Sequence, residues 1–70
     1  MVGFINCNTI PWGEIHINGE KIGPTPLRLK KVVPGLIRIL IKKPSYKDID
    51  TFYNVRAGDT LKLNFILKNK

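Results

Sequence analysis

Cys7 and His16 are the only cysteine and the only histidine in this 70-residue chain. A nucleophile–base pair built on them also needs an orienting carboxylate. Cys7 falls on the inward parity of the alternating run Ile5-Asn6-Cys7-Asn8-Thr9, which reads as a core thiol rather than a reactive one. His16 has outward parity with Glu14 and Asn18 and reads as a solvated strand histidine. One thiol and one imidazole make neither an internal disulfide nor a His/Cys zinc site. Asp48 and Asp50 form a spaced carboxylate pair, but they sit among Lys42, Lys43 and Lys47, where charge balance accounts for them. Gly19 and Gly23 flank Glu20-Lys21-Ile22 without the Gly-Lys-Ser/Thr ending of a phosphate loop. From the residues, the expectation is no catalytic site, no cofactor and no metal centre.

Charge is the second chemical resource. Twelve Lys+Arg against five Asp+Glu give 12 − 5 = +7. Such an excess favours polyanions without specifying one. Arg38, Lys42, Lys62 and Lys68 share outward parity on two alternating segments and would form a stripe if those strands were neighbours. Aromatic side chains are not interleaved with them, as a single-strand binder requires. A solvated surface therefore ranks above a nucleic-acid groove, and a basic domain binding nucleic acid or an anionic envelope polymer is the alternative reading.

These residues are carried by short extended segments. Apolar and polar side chains alternate with period two through Glu14–Asn18, Ile37–Lys42 and Leu61–Lys68. The same pattern predicts a first strand through Ile5 and Cys7, a short one at Leu27 and Leu29, and another near 49–56. Asn18-Gly19 predicts a tight hairpin, because both residues accept positive φ. Pro11-Trp12-Gly13, Gly23-Pro24-Thr25-Pro26, Pro34-Gly35 and Ala57-Gly58-Asp59 separate the remaining runs. The expected fold is all-β, a small antiparallel β-sandwich of six or seven short strands. Seventy residues hold one domain, 1–70, of a size that suggests excision from a larger protein. Without a disulfide or metal staple, its stability must rest on apolar burial and a complete backbone hydrogen-bond network.

Inward parity assigns the core to Ile5, Cys7, Ile15, Ile17, Leu27, Leu29, Ile37, Ile39, Ile41, Val55, Leu61, Leu63, Phe65 and Leu67. Phe4, Leu36, Leu40, Phe52 and Ile66 fall on outward positions. Scattered, they mean nothing; gathered, they would mark a contact surface. Trp12 lies in a turn beside Pro11 and Gly13. A cap over one open end of the core is the preferred reading, and an exposed anchor for a partner the second.

The run Pro11-Trp12-Gly13-Glu14-Ile15-His16-Ile17-Asn18-Gly19-Glu20-Lys21-Ile22-Gly23-Pro24-Thr25-Pro26-Leu27 resembles the signature of the PEGA domain. That pattern has a proline after the first strand, a short strand, an Asp/Asn-Gly turn, and then Gly-x-Thr-Pro-Leu. Pro34 and Gly35 before an alternating strand, Pro44-Ser45-Tyr46, and Ala57-Gly58-Asp59-Thr60 before the last one extend the resemblance over nearly the whole chain. The Pro-Trp form, one residue shorter than the Pro-Glu-Gly-Ala run, is similar to copies found behind bacterial serine/threonine kinase domains. The motif residues also have a physical reading. Gly23 can supply a backbone conformation closed to other residues, and Pro26 holds Thr25 extended and aims Leu27 inward.

The resemblance implies a non-catalytic accessory module for protein contact or spacing in a bacterial or archaeal surface, envelope or signalling protein. It implies a protein partner or neighbouring domain, and favours an envelope or extracytoplasmic setting. The chain itself carries no address, since no apolar run approaches the ~18 residues of a membrane helix.

Overall fold

The computed structural model describes all of residues 1–70. Seven strands and no helix are present: β1 (Gly3–Ile10), β2 (Glu14–Ile17), β3 (Glu20–Pro24), β4 (Leu27–Val32), β5 (Gly35–Lys42), β6 (Ile49–Val55) and β7 (Thr60–Ile66). They form two sheets, β4-β1-β7 and β3-β2-β5-β6. Every pairing is antiparallel except β1 with β7, which run parallel from Phe4↔Thr60 to Ile10↔Ile66. Alternation cannot reveal that pairing, because it joins the first strand to the last.

The isoleucine alternation explains the two layers. Ile15, Ile17, Ile37, Ile39, Ile41 and Val55 of the four-stranded sheet meet Ile5, Cys7 and Leu63 of the three-stranded sheet, with Leu67 just beyond β7. Ile5, Ile15, Ile37, Ile39 and Ile41 are essentially out of water. Burial of each contributes on the order of 1.5–3 kcal/mol. β-Branched side chains suit these positions because they pack well on a pleated surface.

The turns follow from residue chemistry. Asn18 and Gly19 both take positive φ, 52° and 84°, between the paired Ile17 and Glu20. This is the two-residue type I′ hairpin that Asn-Gly favours. Asn18 then ties the turn to β5. Its Oδ1 accepts from the Arg38 N–H at 2.9 Å, and its own N–H donates to the Arg38 carbonyl at 3.0 Å.

One inward assignment is corrected. Leu29 is 62% exposed. Ile5 pairs with Lys30 but Cys7 pairs with Leu27, so β4 spends three residues where β1 spends two. This bulge reverses the side-chain parity along β4. Leu29 takes a φ of 47°, and its N–H, pushed out of the ladder, donates to Asn6 Oδ1 at 2.6 Å. Leu27, Leu61 and Phe65 stay half-buried against the core.

Candidate functional site

The signature run is held by a buried polar cluster. Thr9 Oγ1 donates to the Pro11 carbonyl at 2.8 Å, and Thr25 Oγ1 lies 2.6 Å from Thr9 Oγ1. Thr25 Oγ1 also accepts from the Gly13 N–H at 3.0 Å, and the Thr25 N–H donates to the Gly13 carbonyl at 2.8 Å. The cluster pins the Pro11–Gly13 turn between the end of β1 and the start of β4. Gly13 is close to the core here: a Cβ on it would come within 2.9 Å of Ile41 Cγ2 and 3.1 Å of Leu67 Cδ1. Gly23, at a φ of 139°, supplies the conformation expected of it, next to a bulge in β3.

With Gly13 and Leu67 closing that end, Trp12 is left outside. It is 57% exposed and does not cap the core. The Lys43 ammonium stands over its ring, 3.7 Å from the centroid, an interaction worth about 0.5–1 kcal/mol at an exposed site. Trp12, Glu14, Pro24, Lys42 and Pro44 line a mainly apolar groove of about 540 Å³.

Glu14 and Lys42 connect this groove to the outer face of the four-stranded sheet. They pair across β2 and β5, and the next rows place His16 beside Leu40, Leu40 beside Asp50, Arg38 beside Phe52 and Leu36 beside Asn54. Phe52 is therefore diagonal to both Leu36 and Leu40, within side-chain reach. Leu36 and Phe52 are 70% and 59% exposed, and Leu40 is half-buried. Trp12 and three of the five outward apolar residues, Leu36, Leu40 and Phe52, thus border one continuous surface. Phe4 and Ile66 project from the opposite sheet, at the two ends of the β1–β7 pair.

Two ion pairs lie on this face, and Lys42 stands beside them without a partner. Arg38 donates to Asp50 through Nε and Nη2, at 2.9 and 2.6 Å. That hydrogen bonding is the main reason the Asp50 carboxyl sits below its ordinary pKa. Lys21 meets Glu14 at 2.7 Å and lowers its pKa in the same way. Asp50 thus balances Arg38 rather than the lysines near it in sequence. His16 is not freely solvated: its Nε2 is buried without a hydrogen-bond partner, between cross-strand neighbours Lys21 and Leu40.

The edge beside this face is open. Both backbone groups of Arg38 turn toward β2. Because these groups alternate sides along a strand, Ile37, Ile39 and Ile41 turn theirs toward Tyr53, Thr51 and Ile49 of β6. Asp50, Phe52 and Asn54 are left presenting N–H and C=O to the free side. The edges at β3 and β4 are blunted. β3 has a bulge and ends in Pro24, β4 has a bulge with Arg28, Lys30 and Lys31, and the chain past β7 is held where the Lys47 N–H donates to the Lys68 carbonyl. β6 carries no proline, lysine or bulge.

The four cations read from parity do not form a stripe. Arg38 and Lys42 lie on β5, Lys62 on β7 and Lys68 just beyond it, and β5 and β7 belong to different sheets. Lys62 instead shares the outer face of the three-stranded sheet with Arg28 and Lys31. That face carries a second groove of about 540 Å³, lined in part by Asn6, Asn8, Arg28, Lys62 and Asn64. Outward alternation in β1 and β7 was visible, but only their parallel pairing sets Asn6 beside Lys62 and Asn8 beside Asn64. Cys7 is buried, and desolvation pushes its thiol pKa up to about 11.

The fold defines a small two-layer β module with a groove on each outer face. The chain belongs to the PEGA domain family, whose model matches residues 3–70. Membership suggests a non-catalytic accessory domain. A search of curated proteins returns no match to the chain.

Proposed function

We propose that this domain is a non-catalytic interaction module that docks a partner protein or neighbouring domain on the outer face of its four-stranded sheet. The observation that carries the reading is the continuity of that face. An exposed tryptophan at one end, Leu40 and Phe52 in the middle and Leu36 at the other end border the open edge strand β6. Aromatic side chains such as Trp12 and Phe52 give large contact area at small entropic cost, and tryptophan is enriched at hot spots. A free edge with three outward peptide groups can pair with an extended segment of the partner. The Arg38–Asp50 and Glu14–Lys21 pairs supply a polar surround, with Lys42 adding one positive charge.

The experiment is retention of a partner by the immobilised domain and its face variants. Retention by wild type and by Ile66→Lys, with loss on both Phe52→Lys and Trp12→Ala, supports the face. A partner that survives both face changes places the contact elsewhere. If nothing is retained, and the parent protein tolerates both changes, the domain serves as a spacer.

A further inference from the structure

The five acidic residues are distributed unevenly over the sandwich. Glu14 and Asp50 lie on the outer face of the four-stranded sheet, each in an ion pair. Glu20 starts β3, and Asp48 and Asp59 lie outside the strands. None projects from the outer face of the three-stranded sheet. That face carries Arg28, Lys31 and Lys62, and Lys31 stands beside Phe4 as Lys62 stands beside Asn6. Part of the net charge of +7 is thus concentrated, uncompensated, on one side of the molecule.

The groove on this side combines that charge with carboxamides. Its floor is two cross-strand rows, Asn6–Lys62 and Asn8–Asn64. Rows on one sheet face repeat every ~7 Å along the strands, with ~4.8 Å between neighbouring strands. Arg28 stands on the β4 side. Asn8, Asn64, Lys62 and Arg28 make no side-chain hydrogen bond or ion pair within the protein. Asn6 uses only Oδ1, toward Leu29, and keeps its amide N–H groups free.

We propose that this groove binds an anionic saccharide chain. Arg28 and Lys62 hold its carboxylate or phosphate groups, and the carboxamides of Asn6, Asn8 and Asn64 hold its hydroxyls. Each free carboxamide offers two donors and an acceptor, which matches hydroxyls that both give and accept. Guanidinium and ammonium form the stronger, charge-assisted bonds to the anionic groups. A nucleic acid fits less well, because no aromatic ring lines the groove to stack a base. An extended acidic peptide fits less well, because β1 is the central strand and its backbone is already paired on both sides. The groove's volume lies within the range of small-molecule sites.

The test is titration of the ¹⁵N-labelled chain at low salt with oligogalacturonate, glycerol-phosphate oligomer, neutral dextran and oligothymidylate. The expected result is binding to one or both anionic saccharides, with shifts of the side-chain amide signals of Asn6, Asn8 and Asn64. Dextran leaves the spectrum unchanged. Affinity falls on the order of tenfold in Lys62→Ala and at least as far in Asn8→Asp, which adds a like charge to the ligand's. Binding of oligogalacturonate alone assigns carboxylate recognition, and binding of the glycerol-phosphate oligomer alone assigns phosphate. Phe52→Lys, on the opposite face, leaves the titration unchanged, so this result stands or falls apart from the protein-contact reading. Lack of binding to either saccharide overturns the proposal. So does binding indifferent to both groove variants, or oligothymidylate binding as tight and as Lys62-dependent as the saccharide's.

Discussion

The hydroxyl of Thr25 donates to Thr9 Oγ1 across 2.6 Å of protein interior. The direction follows from counting hydrogens. Each hydroxyl has one, and that of Thr9 is committed to the Pro11 carbonyl, which can only accept. Thr25 must therefore be the donor, which leaves its oxygen to accept from the Gly13 N–H. Both threonines are buried, so no water substitutes for a missing partner.

Thr25→Val keeps the shape and removes the hydroxyl. It strands the Gly13 N–H and deprives Thr9 of its donor, at a cost of about 2 kcal/mol. In a domain this size that corresponds to a midpoint lower by roughly 10 °C. Thr25→Ser, which keeps the oxygen, loses less. Thermal unfolding followed by circular dichroism compares the two; a Val variant as stable as wild type would show that the hydroxyl cluster contributes nothing.

Gly13 is the second constraint on the same turn. The Gly13→Ala methyl would meet Ile41 and Leu67 at 2.9 and 3.1 Å, tighter than packed side chains normally allow. Overpacking of this kind costs about 1–3 kcal/mol. Urea unfolding should show a lower midpoint with an unchanged slope. Gly13→Ala combined with Leu67→Ala, which removes one of the two obstructing side chains, should lose less than the sum of the single changes.

The isoleucine alternation, the Asn18-Gly19 hairpin and the Gly23–Leu27 motif were all legible in the sequence because they are local: each depends on residues a few positions apart. The failures share the opposite cause. Counting in twos puts Leu29 inward, and one extra residue in β4 shifts the count. Parity alone groups Lys62 with Arg38, whereas the β1–β7 pairing gives it Asn6 as a neighbour. The turn position of Trp12 suggests a cap, whereas Gly13 packs tightly against Ile41 and Leu67 at that end and the ring stays outside. Outward apolar residues could be named from sequence, yet their gathering around Phe52 depends on which strands pair.

Trp12 supplies its own optical test, being the single tryptophan. At 57% exposure its emission should be that of a hydrated indole and be quenched readily by acrylamide in the folded state. Lys43→Met removes the ammonium over the ring. It should change the emission intensity and cost no more than about 1 kcal/mol. A blue-shifted, quencher-resistant emission would return Trp12 to the role of a cap and remove the anchor from the proposed contact face.

Cys7 predicts how the fold responds to alkali. Its thiol sits among the isoleucines of the core, and loss of hydration raises its pKa from 9.0 to about 11. Below pH 9 the thiol is protonated whether the chain is folded or not, so it adds no pH dependence. Between pH 9 and about 11 the unfolded chain releases the proton while the folded chain keeps it. Ionisation then favours unfolding, and stability falls as pH rises, by at most about 1.4 kcal/mol per unit. Above that window both states are ionised and the slope from this group vanishes. Cys7→Ala is less stable at neutral pH because it opens a small cavity, but it lacks this alkaline component. The difference in unfolding free energy between wild type and Cys7→Ala should therefore narrow from pH 9 to 11. A gap constant across that range would mean that the thiol ionises as easily inside the protein as outside it. Reaction with a disulfide reagent at pH 8 gives the kinetic counterpart: modification should be limited by opening of the fold and accelerate in urea.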